Sequence, residues 1–191
     1  MTPRIRKLAL TSHVTFSVGW LGAVLAYLVV AISGLTSVDP QLVRGTYGSM
    51  QLMISVVIVP LAIAALVSGL VQSLGTDWGL LRHYWILAKF VLTAIGTLIL
   101  LLHAPRVAEF AVRVAERGDH DVQRTSFVVH AAGGLAILLA ATVLSIFKPF
   151  GKTAHGKGDV SARKRYFAIA VGIVIALVVV RHLAGGGPRM H

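Results

Sequence analysis

The side chains able to do chemistry within the apolar parts of this sequence are few: His13, His83, Lys89, His103 and His130. Neutral imidazole is a good ligand for haem iron and for copper, and lysine in an apolar setting needs an anion, a polar partner or a wet cavity. With no cysteine in the chain, disulfides, thiolate metal sites, iron–sulfur clusters and covalent c-type haem are excluded. The seven acidic residues, Asp39, Asp77, Glu109, Glu116, Asp119, Asp121 and Asp159, all fall between the apolar stretches, which argues against a carboxylate-relay pump.

Spacing groups these residues. At about 100° per residue, Trp85, Lys89, Gly96 and His103 fall within about 40° of one another on a helix. His13, Trp20 and Tyr27 are likewise seven apart and share a face. Gly96 would admit a neighbouring helix or a flat cofactor. His130 stands above Gly134, Ile137 and Ala141, and His83 points away from Lys89 toward the charged entry of its helix. His103 and His130 share a depth, whereas His13 and Lys89 belong to the opposite half, and about 30 Å of bilayer keeps His13 from His103. A pair such as His103 and His130 on facing helices is the simplest cysteine-free way to hold a b-type haem, with Lys89, Arg82 or Arg106 on its propionates.

The elements that must position these groups are membrane spans. The 191 residues are 56% hydrophobic and 13% charged, with a mean hydropathy of +0.81, too apolar for a soluble domain. The expected fold is an all-α polytopic membrane bundle with five windows near the 20 apolar residues that a span requires: His13 to Leu35, Ser49 to Leu74, Leu81 to Leu102, Ser126 to Phe147 and Tyr166 to Leu183. The first four form a core over residues 1–150, residues 151–165 a basic loop, and residues 166–191 a peripheral fifth helix and tail. The first window is read as a retained span rather than a cleaved signal peptide. Pro60 should kink the second window, and Pro105 should start a short helix on the headgroups that Gly118 stops. The net charge of +11 comes from cations flanking the spans, which points to phospholipid rather than nucleic acid. Ten of the 18 Lys and Arg fall on the side of the N-terminus, which places that end in the cytoplasm of a bacterial-type plasma membrane.

Two motifs carry a likeness. His13-x6-Trp20-Leu-Gly in the first window and Trp85-x3-Lys89 in the third, with a late His103 and the exit Phe147-Lys148-Pro149-Phe150, resemble the membrane-embedded, haem-dependent protoporphyrinogen oxidases. They also resemble the copper-resistance D-type membrane domains and small integral membrane proteins sharing that pattern. The resemblance implies haem ligation at His13 and a role for Lys89 on tetrapyrrole carboxylates or in catalysis. The Pro-Arg segment and further His that follow Trp20 in the oxidases are replaced here by AYLVVAISGL, so the scaffold carries over rather than the oxidase activity.

Three functions fit these residues. One is a b-type haem protein, redox-active toward a quinone, superoxide, a tetrapyrrole or a membrane partner, with His13, His103 and His130 as candidate iron ligands and Trp20, Trp85, Lys89 and Gly96 lining the cofactor. Another is copper handling through Met50 and Met53, one turn apart, near His103 and His130. The third is a cofactor-free accessory or scaffold. Whether the chain is an enzyme stays open in the sequence.

Overall fold

The computed structural model describes residues 2–75, 83–117 and 124–147. The window expected at Tyr166 to Leu183, the basic loop at 151–165, Gly118, Arg82 and Lys148 to Phe150 lie outside the described residues.

Within them the chain forms four long helices: α1 (Pro3–Thr36), α2 (Pro40–Gly75), α3 (Tyr84–Arg117) and α4 (Arg124–Phe147). Each is long and apolar enough to cross a membrane. The described residues thus give an all-α bundle of four spans. Local chemistry sets the helix starts. Thr2 caps α1 by accepting from the Ile5 N–H, with Pro3 in the first turn. Asp39 does the same for α2, accepting from Gln41 N–H at 2.9 Å ahead of Pro40. Three residues, Ser37 to Asp39, therefore suffice to reverse the chain. Arg124, at the start of α4, donates to the carbonyls of Gly34 and Ser37 at 3.4 Å each, which ties α4 to the end of α1.

Two expected boundaries are corrected. The second helix begins at Pro40 rather than Ser49, and Pro105 does not start a separate surface helix but lies inside α3. Both extensions have one cause. Val107, Phe110, Ala111 and Val114, read as a face lying on headgroups, are buried against Val43, Tyr47 and Met50 of α2. Phe110 meets the Tyr47 ring edge-on at 4.7 Å between centroids and Phe127 of α4 at 5.0 Å. Mutual burial of these two helix ends gives a better solution than a lone amphipathic turn on lipid. At about 1.5 Å per residue, helices of this length outrun a bilayer core of roughly 30 Å, so the Tyr47–Phe110 cluster reads as a cap at the bundle end holding the 37–39 link.

Pro60 acts through a change of helix type. The turn before it, Met53–Ile58, is π-helical, and the Val59 N–H donates to the Ile54 carbonyl. Proline has no N–H to give and its ring crowds the carbonyl four residues back, so a widened turn accommodates it without leaving the apolar phase unbonded.

Packing follows a ring: α1 contacts α2 and α4, and α3 contacts the same two. Hence α1 and α3 face each other across the bundle axis. Large apolar side chains such as Val18, Leu98, Val129 and Phe147 point outward, 56–75% exposed. Water would not tolerate so much exposed hydrocarbon, and lipid favours it. The chain is a helical, membrane-spanning protein.

Candidate functional site

Because α1 and α3 lie diagonally, the two stripes read from the sequence both face the axis. His13, Trp20 and Tyr27 from α1 and Trp85, Lys89, Gly96 and His103 from α3 line cavities along it. The pairing falls into two levels.

At the level nearer the N-terminus, Lys89 Nζ stands 3.4 Å from His13 Nε2. The other imidazole nitrogen, Nδ1, is 3.1 Å from the Ala65 carbonyl and 3.1 Å from Ser68 Oγ. A carbonyl can only accept, so Nδ1 carries the proton and donates to it. Nε2 is left with the lone pair and accepts from the Lys89 ammonium. The Ser68 hydroxyl donates backward to the Ala64 carbonyl at 2.6 Å, which leaves its oxygen free to share the imidazole proton. Thus α2 fixes the ring, and α3 supplies a cation to its open nitrogen. Lys89 points inward to this partner, as the expectation of a partner or a cavity required.

Glycine makes the imidazole position possible. A Cβ at Gly69 would lie 2.8 Å from His13 Cε1, closer than side-chain carbons approach, so any other residue there would displace the ring. Beside the pair opens a cavity of ≈ 450 Å³, walled by Leu10, Gly69, Gln72, Trp85, Phe90 and Thr93 among others. On the α4 side a second space of ≈ 290 Å³ shares His13, Lys89 and Thr93 and is walled by Trp20, Leu138 and Thr142. The pair therefore stands between two cavities in a cleft otherwise largely apolar.

At the other level, His103 and His130 do meet. Their rings stack at 4.1 Å between centroids, with planes 12° apart. His130 Nδ1 donates to the Ser126 carbonyl of its own helix at 2.7 Å. Both nitrogens of His103 are buried and have no hydrogen-bond partner among the described residues, and the same holds for Trp20 Nε1 and Tyr27 Oη. Each such atom costs about 1–3 kcal/mol if nothing else satisfies it. Ligands on opposite faces of a porphyrin must have the metal between them, at about 2 Å from each nitrogen. Rings in face contact leave no such space, so a haem between these two would need them to part.

The remaining expected residues fall as follows. Gly96 is a contact point: its Cβ position lies 3.4 Å from Ile137 of α4. His83 packs beside Trp85, with ring centroids at 6.3 Å, at the entry to α3. Arg106 is exposed. Met50 is fully buried in the core, with Met53 packed against that core. Among the described residues no group of three or more His, Cys, Asp or Glu is placed to hold a metal ion. The sequence reading missed Ala65, Ser68 and Gly69, which orient His13; a small-residue run toward the end of α2, at the depth of His13, was the available signal.

Fold and site together define a polytopic α-helical membrane protein with a half-buried histidine–lysine pair on the bundle axis. No family model matches the chain, and neither the curated proteins nor the solved structures compared with it give a match.

Proposed function

We propose that this chain binds a flat, carboxylate-bearing amphiphile of the tetrapyrrole class, haem b in particular, in the cleft around His13 and Lys89. The supporting observation is the state of His13. Its Nδ1–H is committed to a backbone carbonyl, and its Nε2 lone pair faces the cleft beside a cation. Histidines that ligate metals are held in this way by an outer partner on the second nitrogen. The donor set therefore fits one imidazole ligand, with Lys89 free to leave it for a propionate; Trp85 and Phe90 supply flat apolar walls. A bound haem b would supply one-electron chemistry. The chain's own residues hold the ring, pair its acid groups and exclude water, and the likeness of the His13 and Lys89 motifs to the haem-dependent membrane family agrees with this reading. The bias of Lys and Arg orients the cleft toward the cytoplasmic half of a bacterial-type plasma membrane.

The test is spectroscopic. Full-length protein made under haem-replete conditions and purified in detergent should carry a Soret band that His13→Ala abolishes and His103→Phe retains. A wild-type preparation without a Soret band overturns the haem reading. A band unaffected by His13→Ala removes the cleft from it.

A further inference from the structure

The ≈ 290 Å³ space on the α4 side of the His13–Lys89 pair opens toward the bilayer. Its floor is Trp20, Leu138 and Ala141, all buried, and its outer rim is Val14 and Val18 of α1 and Ile146 of α4, which are 49%, 63% and 68% exposed. These rim residues belong to membrane-spanning helices, so the phase outside them is hydrocarbon.

The wall offers little to water. Of its four hydroxyls, those of Thr93, Thr142 and Ser145 donate to carbonyls of their own helices, at 2.8, 2.9 and 2.9 Å. Lys89 turns its ammonium to His13, and its methylene stem is apolar. The volume is about twice that of a cavity that admits benzene, enough for a stretch of alkyl chain. A void of that size forfeits dispersion contacts along its lining, and a chain entering from the bilayer restores them.

The head to which such a chain belongs is indicated on α1. At about 100° per residue, Lys7, Val14 and Val18 fall within about 40° of one another, and Lys7 lies about 10 Å and about 16 Å along the axis from the two valines. Lys7 and Arg4, one turn before it, are exposed, and no acidic residue precedes Asp39. Cations at headgroup level, in line with an apolar gap at acyl depth, complement a phosphate that carries fatty chains.

We propose that the gap between α1 and α4 binds one anionic glycerophospholipid, with its phosphate on Lys7 and Arg4 and one acyl chain inserted past Val18 to Trp20. The site is independent of what the larger cavity holds. A chain lodged there closes the α4 side of the His13–Lys89 pair to water and leaves the larger cavity to a ligand of the pair.

The experiment uses the full chain carrying Trp78→Phe and Trp85→Phe, so that Trp20 is its one tryptophan, in vesicles of equal parts phosphatidylglycerol and phosphatidylcholine. Bromine atoms on the acyl chains of one lipid or the other quench tryptophan fluorescence on contact. Brominated phosphatidylglycerol is expected to quench Trp20 at least about twofold more than brominated phosphatidylcholine, and Lys7→Gln with Arg4→Gln to remove the difference. Val18→Phe and Ala141→Leu fill the gap from opposite walls, and each should lower the quenching. Val18 is exposed, so its variant keeps its fold even where Ala141→Leu does not, with circular dichroism as the check. Equal quenching by the two lipids in the starting protein overturns the proposal. So does quenching that a folded Val18→Phe leaves unchanged, which would place the bromines outside the gap. Absence of quenching by either lipid overturns it too, because protein rather than lipid would then cover the mouth. No tetrapyrrole is present, so none of these results bears on the haem reading.

Discussion

The two histidine levels of this bundle use the same kinds of residue to opposite ends. Around His13 and Lys89 there is room, ≈ 450 Å³, and every imidazole nitrogen has a partner. Around His103 there is about an eighth of that space, ≈ 60 Å³, and neither nitrogen has a partner among the described residues. A satisfied, oriented imidazole beside a large cleft is prepared for a large ligand. One stacked on a second imidazole beside a small, mostly apolar pocket has no such room. What separates the levels is less the histidine than its neighbours: Gly69 and the Ala65 carbonyl on one side, Trp20, Tyr27 and a facing His130 on the other.

That contrast can be broken at its spacer. Gly69→Val should drive His13 out of position, because even a Cβ meets the ring at 2.8 Å. Titration with haem followed by absorbance should show a loss of affinity of at least about tenfold, equivalent to about 1.4 kcal/mol. Helical content by circular dichroism should be unchanged. Wild-type affinity in that variant would place the ligand elsewhere. A smaller effect sharpens the contrast from the other side: His103→Phe should leave haem affinity within about twofold, below 1 kcal/mol. A tenfold loss there would merge the two levels into one site. Smallest of all, Met50→Leu with Met53→Leu should cost less than about 1.5 kcal/mol of stability, since both side chains pack in the core. Copper content by mass spectrometry should not change, and a loss of bound copper would revive the methionine reading.

Much of this was legible in the sequence because lipid simplifies the code. Apolar runs give the spans, and a seven-residue recurrence gives the inward stripes of α1 and α3, down to which residues point at the axis. What escaped were features that depend on partners. The face of Val107, Phe110, Ala111 and Val114 was visible as amphipathic, but a sequence cannot say whether such a face meets headgroups or the equally long end of α2. The π-helical turn before Pro60 shares this character: the need for an adjustment was readable, and its form depended on the surrounding packing. His103 and His130 were rightly placed at one depth, yet a face-to-face stack and an opposed ligand pair have the same sequence signature. The orientation of His13 rests on a backbone carbonyl, which no residue type announces.

The central claim is that Lys89 recognises an acid group on a flat ligand seated against His13. It is tested most directly by comparing the affinities of purified protein for protoporphyrin IX and for its dimethyl ester, in the wild type and in Lys89→Met. The account predicts that the wild type prefers the free acid by about tenfold or more, as a charge-assisted hydrogen bond provides, and that Lys89→Met erases the preference while still binding the ester. Equal affinities for acid and ester in the wild type, or a preference that survives in Lys89→Met, would contradict it.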